Sequence, residues 1–125
     1  MLFEHDIAEY RMNLGYYDMI KYLDKLDGNK YYFKKYDENY YSKLFYKDLY
    51  KRIIKEYNKG EEPKSNKEFI IKIIEKVCLM YGINRFKVYD LPYLITRLKY
   101  KMAGKKKNKY YKFIKNIKVD FEGWN

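Results

Sequence analysis

The sequence predicts a mainly α-helical protein of four to five helices in a compact, bundle-like domain, with a short strand or an extended C-terminal tail. Two observations favour this fold class. Apolar residues recur at three- and four-residue steps in several stretches, and Gly, Asn, Asp or Pro stands at the ends of those stretches. The length of 125 residues favours a single domain over residues 1–125, with a core that needs no disulfide or structural metal.

The N-terminal stretch, residues 6–26, is predicted to form the first helix, with an interruption at Gly15 as the alternative to a continuous helix. Residues 27–29, Asp-Gly-Asn, are expected to end it, since Gly and Asn tolerate the left-handed backbone of a helix C-terminus. Residues 30–36 lack a clear period, which leaves a short strand and an extended connector as alternatives. The predicted core-facing stripe of the first helix is Tyr16, Met19, Ile20, Leu23 and Leu26.

Residues 38–58 are predicted to form one continuous second helix. The segment that follows, residues 59–64, contains Gly60 and Pro63 and has no apolar side chain to anchor it, so we predict a surface loop there, with a hinge as the alternative. The second helix is indicated by apolar residues at steps of four: Tyr41, Phe45, Leu49, Ile53 and Tyr57.

Two further helices have clear start and stop signals. The third runs from a cap at Ser65 or Asn66 to about Tyr81, and Glu68 either completes a capping box or places negative charge in the first turn. The fourth begins at Asp90, whose side chain is expected to accept a first-turn N–H, and ends near Gly104. The predicted buried residues are Ile70, Ile73, Ile74, Val77, Cys78 and Tyr81 in the third helix and Leu91, Leu94, Ile95, Leu98 and Met102 in the fourth.

The last apolar stretch carries two patterns. Apolar residues from Tyr110 to Ile117 have helical spacing, whereas those from Ile117 to Phe121 alternate with polar residues as in a strand. A short helix that passes into an extended tail accommodates both patterns.

The net charge is confined to the second half of the chain. Residues 1–62 hold 12 basic and 12 acidic side chains, whereas residues 63–125 hold 16 basic and 5 acidic ones, which accounts for the formal net charge of +11. Ten basic residues and no acidic residue lie between Arg97 and Lys118. The 24 Lys against 4 Arg are typical of AT-rich coding, but codon bias does not explain an uneven distribution of acids.

The sequence offers little support for an enzyme. A Ser or Cys nucleophile needs a base within hydrogen-bond reach, and the single histidine, His5, lies in a terminal segment. The single cysteine, Cys78, lies on the apolar face of the third helix, where a thiol behaves as a small hydrophobic group. The glycines are too far apart to form a phosphate-binding loop. We therefore expect no catalytic residue, no metal site and no cofactor.

The acids of the basic half have structural explanations in this interpretation. Asp90 is a helix cap, Glu68 is a first-turn acid, and Glu75 is expected to be a solvated neighbour of lysines on its helix. Asp120 and Glu122 flank an aromatic residue and could hold a divalent cation, which is the alternative of a metal-dependent hydrolase.

The candidate binding site is the basic surface that starts at Arg97. If residues 91–103 form a helix with its leucines inward, then the outward side chains are Arg97, Tyr100, Lys101 and Tyr93, with Thr96 and Lys99 nearby. The lysines of residues 105–109 continue that surface. Lysines neutralise phosphates and tyrosine rings stack on unpaired bases, while the scarcity of Arg indicates modest sequence specificity. The predicted nucleic-acid or partner-binding residues are Arg97, Lys99, Tyr100, Lys101, Lys105, Lys106, Lys107, Lys109, Tyr110, Tyr111, Lys112 and Lys115.

Three functions fit such a surface. The first is a small basic accessory protein, of a phage or mobile element with an AT-rich genome, that binds RNA, DNA or a nucleoprotein complex. The second is a protein-binding inhibitor or regulator, for example an anti-defence or anti-CRISPR type factor, that covers an acidic surface of a host nucleoprotein. The third is a structural subunit of a virion or ribosome-like assembly. A solvated, lysine-rich face without a ligand is the alternative to all three.

The cellular location is expected to be the cytoplasm, or the host cytoplasm if the protein is viral. The lone cysteine suits a reducing compartment, and no apolar run of about 18 residues is present, so we expect no membrane partner. A DNA-binding helix-turn-helix is not predicted, because the connection from residue 82 to residue 90 is longer than the tight turn of that motif.

Overall fold

The computed structural model describes residues 15, 16, 19, 25–60 and 63–119, and this part of the chain is mainly helical, as predicted. The bundle-like arrangement stays a prediction. No helix in these ranges has the length and apolar character that crossing a membrane requires. Within residues 25–60 and 63–119 the helices are α1 (Glu38–Ser42), α2 (Lys47–Tyr57), α3 (Asn66–Met80), α4 (Leu91–Met102) and α5 (Tyr111–Lys115), and the strands are β1 (Leu26–Asp27), β2 (Tyr32–Lys34) and β3 (Val88–Tyr89). Gly15, Tyr16 and Met19 are also helical, as predicted for this stretch.

The small sheet has β2 at its centre. β1 pairs with β2 in antiparallel fashion, with Asp27 opposite Phe33, and β3 pairs with β2 in parallel, with Tyr89 opposite Phe33. Tyr32 and Phe33 are fully buried. Of the two alternatives for residues 30–36, the strand is therefore the one the structure contains.

The turn between β1 and β2 replaces the helix end predicted at residues 27–29. Gly28 has a φ of +107°, and a Cβ at this position would lie 2.2 Å from the carbonyl oxygen of Tyr31. The glycine thus permits a hairpin turn. The prediction that residues 27–29 end a helix was wrong, because the element at this position is strand β1.

The core-facing stripe predicted for the first helix is not found among the described residues. Tyr16 and Met19 are each more than half exposed, and Leu26 belongs to β1. Ile20 and Leu23 lie outside the described residues. Pairing with β2 and burial in the hairpin override the helical period at the end of this stretch.

Glu75 on α3 holds the hairpin turn. Its Oε2 accepts the backbone N–H groups of Asn29, Lys30 and Tyr31 at 2.9, 2.5 and 2.7 Å. The side chain is almost fully buried, so the prediction of a solvated Glu75 was wrong. Three convergent donors make this burial possible, because a carboxylate without such partners is strongly disfavoured away from water.

Two other acids tie the sheet to the helices. Oδ2 of Asp27 accepts the N–H of Tyr36 and the hydroxyl of Tyr41, both at 3.0 Å, and Nζ of Lys67 lies 2.7 Å from Oδ1. Asp90 occupies the N-cap position of α4, as predicted, but its carboxylate makes no capping bond. It accepts the hydroxyl of Tyr36 at 2.5 Å instead, because β3 and the start of α4 lie beside the segment after β2.

The helix predicted over residues 38–58 is divided by a turn at residues 43–46. The turn places Leu44 and Phe45 in the core. The carbonyl of Leu44 accepts the N–H of Lys118 at 2.6 Å, so the segment after α5 is held against this turn. In a continuous helix the Leu44 carbonyl would accept the N–H of Asp48, so this distant contact replaces one bond of the predicted helix.

α3 and α4 begin and end close to the predicted positions. Oγ of Ser65 accepts the N–H of Glu68 at 3.2 Å, and Gly82 and Gly104 have positive φ angles just beyond the two helices. The predicted apolar residues of both helices are buried, with Tyr81 only partly so.

α5 packs on the core through one aromatic residue. The ring of Phe113 lies 5.1, 5.4 and 6.1 Å from the ring centroids of Phe45, Tyr57 and Phe69. The edge-to-face geometry of these pairs is the favourable one for aromatic rings. α5 is thereby fixed beside α2 and α3, and the basic residues before it are positioned relative to the fold.

Candidate nucleic-acid interface

The outer face of α4 carries aromatic and cationic side chains together. Its apolar residues point into the core, so the opposite side of the helix faces solvent. Tyr93 and Tyr100 are 63% and 85% exposed, and seven residues of helix place them about 10 Å apart along the axis. A shallow depression on this face is lined by Tyr93, Thr96, Arg97, Tyr100 and Lys101.

A lysine-rich loop continues from the end of α4. The N–H of Lys105 donates to the carbonyl of Met102 at 2.9 Å, and the N–H of Asn108 donates to the carbonyl of Lys105 at 3.0 Å, so the backbone forms a compact turn. The Asn108 amide also contacts the sulfur of Met80 at 3.1 Å, which anchors the loop to α3. The exposed ammonium groups of the loop are those of Lys105, Lys106, Lys107 and Lys109.

The charged side chains of α4 and of the lysine-rich loop are all basic. Within the described residues, no carboxylate forms an ion pair with Arg97, Lys101 or the four lysines of the loop. Residues 91–119 contain no acid at all. A positive potential therefore extends from the middle of α4 through the loop. Asp90 lies at the N-terminal edge of this region, where it lines a second depression together with Tyr93 and Arg97.

Lys99 lies away from the outer face of α4. Its Nζ donates to the carbonyl of Ile117, and the side chain is half-buried between α4 and the segment after α5. Desolvation lowers the pKa of the Lys99 ammonium. Lys99 thus contributes a tie between two elements, and the structure does not group it with the other predicted binding residues.

Tyr110 is also engaged within the fold. Its ring stacks on Tyr57 at a centroid distance of 6.1 Å, and Nζ of Lys109 lies 5.5 Å from the centre of the Tyr110 ring. The hydroxyl of Tyr57 donates to the carbonyl of Lys109 at 2.9 Å. The ring is half-buried, so it supports the loop and presents less surface to a ligand than Tyr100 does.

The remaining predicted residues lie on α5. Nζ of Lys112 is 3.2 Å from a carboxylate oxygen of Glu56 on α2, which partly neutralises this end of the basic region. Tyr111 is half-buried, with Nζ of Lys115 5.7 Å from the centre of its ring. These three residues form a flank of the site and not its centre.

Three predicted residues, Arg97, Tyr100 and Lys101, line one depression together with Tyr93 and Thr96 of the same outer face. The four exposed lysines of the loop follow directly after the end of the same helix. We call this group the α4 surface. It consists of Tyr93, Thr96, Arg97, Tyr100, Lys101, Lys105, Lys106, Lys107 and Lys109.

Cys78 is the one candidate catalytic group within the described residues, and it does not lie on the α4 surface. Cys78 is fully buried in α3, and burial raises the pKa of its thiol to about 12. The thiol is therefore protonated at neutral pH and out of reach of a substrate. His5, Asp120 and Glu122 lie outside the described residues.

Comparisons with protein-family models, with curated proteins and with solved structures found no match to this chain.

Proposed function

We propose that the protein is a small, non-catalytic nucleic-acid-binding protein that docks on an unpaired strand through the α4 surface. The observation that carries the proposal is the exposure of Tyr100, which is 85% accessible between Arg97 and the lysine loop. A ring so exposed adds little to the stability of the fold. It is well placed to stack on a base while the neighbouring cations meet the flanking phosphates.

The lysine loop supplies the electrostatic part of the affinity. Each phosphate that is neutralised releases condensed counterions, and for single strands the logarithm of the binding constant falls by about 0.7 per phosphate for each tenfold rise in salt. The four lysines of the loop thus predict a slope of about −3. Because Arg97 is the only guanidinium on the α4 surface, bidentate reading of base edges is limited and sequence preference is modest.

An unpaired strand is favoured over a duplex by the tyrosines. Bases inside a duplex are already stacked on each other, so a duplex would contact only the cations of the α4 surface. An unpaired strand uses the cations and the rings together. We further propose that the protein acts by occupying the strand, in the cytoplasm and as the product of a phage or mobile element, for which the lysine-rich composition is the support.

The test is fluorescence anisotropy with labelled single- and double-stranded DNA and RNA over a salt series. The test variant carries Glu at Lys105, Lys106, Lys107 and Lys109, and the matched control carries Glu at four exposed lysines elsewhere, Lys25, Lys30, Lys64 and Lys72. We expect single strands to bind most tightly, and the test variant to lose at least tenfold more affinity than the control. Equal losses in the two variants would contradict a localised site.

The two other predicted functions give a different result in the same experiment. A protein-binding inhibitor or regulator, or a structural subunit of a larger assembly, uses this surface against a protein or a nucleoprotein. Bare nucleic acid would then not bind at about 50 mM salt, where a phosphate-binding protein is at its tightest. That outcome would overturn the proposed function.

A further inference from the structure

A second cationic surface lies between α1, α2 and the start of α3, and three of its four lysines belong to the half of the chain whose net charge is zero. It is a groove of about 730 Å³, within the size range of sites that enclose a ligand or a few side chains. Its floor contains Phe45, Ile54 and Pro63. Its cations are Lys43, Lys47, Lys51 and Lys118.

The turn at residues 43–46 builds this groove. Lys47 and Lys51 lie one helical turn apart on α2, and Ile54 follows on the same face. Lys118 joins them because its N–H donates to the Leu44 carbonyl, which draws the segment after α5 alongside the turn. Cations from three separate segments therefore converge above one apolar floor.

The polar side chains of the groove wall are satisfied by one another. The hydroxyl of Tyr50 donates to Oδ1 of Asn66 at 2.5 Å, and Nδ2 of Asn66 lies 3.4 Å from Oγ of Ser42. Among the residues that the structure describes, which exclude residues 61–62, no acid lines the groove. Among the described residues, no carboxylate forms an ion pair with any of its four lysines. The groove thus offers positive charge and an apolar floor to a ligand.

We propose that this groove binds an acidic segment of a partner protein, with one large apolar side chain of that segment seated against the half-buried side chains of Tyr50 and Pro63. Carboxylates on either side of the apolar anchor would meet the lysines. Burial of such an anchor in a desolvated pocket is the usual source of affinity in peptide recognition, and the surrounding charges give specificity and a fast association rate.

The floor favours a peptide over a nucleic acid. The ring of Phe45 is buried and packs against Tyr50 and Phe113 at centroid distances of 5.8 and 5.1 Å, so it presents no open face for a base. A phosphate backbone would form ion pairs with the lysines and leave the apolar floor exposed to water. An acidic peptide with an apolar anchor covers both, since it matches the charge and the floor together.

The test uses a fluorescein-labelled peptide of about ten residues, with Asp and Glu around a central Leu, against the full chain. A matched peptide has Ala in place of the Leu. The test variant is Lys47→Glu with Lys51→Glu, and the control is Lys105→Glu with Lys106→Glu, which makes the same charge change on the α4 surface. We expect at least a tenfold loss of affinity for the test variant and for the Ala peptide, and less than a twofold loss for the control.

Four results would overturn the inference. The first is that the Leu peptide does not bind the unaltered chain, and the second is that both lysine variants lose affinity equally. The third is displacement of the peptide by a single-stranded oligonucleotide, which would make the groove part of a nucleic-acid site. The fourth is a dimer in light scattering that the Lys47 and Lys51 substitutions convert to monomer, which would make a second copy of the chain the occupant.

Circular dichroism of each variant controls for folding. Because the two surfaces share no residue, this proposal and the proposed function fail independently.

Discussion

Glu75 shows how a single buried charge organises this fold. Lys72 and Lys76 lie near Glu75 in α3, and this local pattern predicts that the Glu75 side chain is exposed to solvent. Its partners are three N–H groups that lie 44 to 46 residues earlier in the chain. A helical period relates residues three or four positions apart, so it gives no information about donors that lie this far away in the sequence. The contact therefore could not be predicted from the sequence.

Replacing Glu75 by Ala is expected to lower the free energy of unfolding by about 3 kcal/mol, because buried donors lose a charged acceptor. Glu75→Gln keeps an acceptor oxygen and should lose less. The control is Glu56→Ala, which removes only the exposed pair with Lys112 and should cost less than about 1 kcal/mol. Urea unfolding of the three variants measures these differences, and a Glu75→Ala loss no larger than that of the control would contradict the role given to Glu75.

Among the predicted binding residues, Lys99 is expected to stabilise the fold and to contribute little to ligand binding. Lys99→Met removes its bond to the Ile117 carbonyl, so we expect a loss of about 1 kcal/mol in stability. Single-strand affinity should change by less than twofold, because the ammonium group is half-buried away from the outer face of α4. Urea unfolding and anisotropy on the same preparation test this. A large loss of affinity with unchanged stability would contradict this and would show that Lys99 contributes to ligand binding.

At the scale of elements, the helices with both a cap and an apolar stripe were predictable from the sequence. α3 and α4 have Ser65 or Asp90 at the start and a positive-φ glycine after the end, and both formed close to their predicted bounds. The elements that long-range contacts define were not predictable. The hairpin depends on Glu75, and the division of residues 38–58 depends on Lys118.

The hairpin turn gives a prediction about glycine. Gly28→Ala should destabilise the protein by more than about 2 kcal/mol, since its backbone has a positive φ and the new Cβ would overlap the Tyr31 carbonyl. Gly60→Ala is the matched control. Gly60 also has a positive φ, but no atom of the described residues lies within 4 Å of a Cβ placed there, so we expect only the backbone strain of about 1 kcal/mol. Equal thermal stability of the two variants would contradict the close approach described at Gly28.

At the scale of the whole molecule, burial of aromatic hydroxyls makes the fold sensitive to high pH. Burial raises the pKa of Tyr31 to about 12, and it also raises the pKa of Tyr41, to which Asp27 adds further upward pressure through its charge and hydrogen bond. The folded state therefore holds the neutral forms, whereas the unfolded chain ionises near pH 10. Stability is complete below that pH and is lost as the pH rises toward 12.

Alkaline titration tests this linkage. We expect the tyrosinate absorbance of the buried residues to appear together with the loss of helical circular dichroism, because ionisation of Tyr31 and Tyr41 requires unfolding. Cys78 should become reactive toward a thiol reagent over the same range, since burial raises the pKa of its thiol to about 12. Full tyrosine ionisation with an intact helical signal would contradict this account.

The whole molecule also separates two cationic surfaces of different chemistry. The α4 surface combines cations with exposed aromatic rings, whereas the groove between α1 and α2 combines cations with an apolar floor. The charge asymmetry of the sequence indicated the first. It concealed the second, because Lys43, Lys47 and Lys51 belong to the half whose charges sum to zero.

The most direct test of the central claim is the affinity of Tyr100→Ala for a single-stranded oligonucleotide of about 15 nucleotides, a length that spans one compact site. Because Tyr100 is 85% exposed, the substitution should leave the stability unchanged. The loss of one stacked base is worth about 1–3 kcal/mol, so we predict a loss of about five- to a hundredfold. Tyr46→Ala, at a position 66% exposed outside the α4 surface, is the control and should lose less than twofold. Binding of Tyr100→Ala as tight as that of the unaltered protein would contradict stacking on the α4 surface.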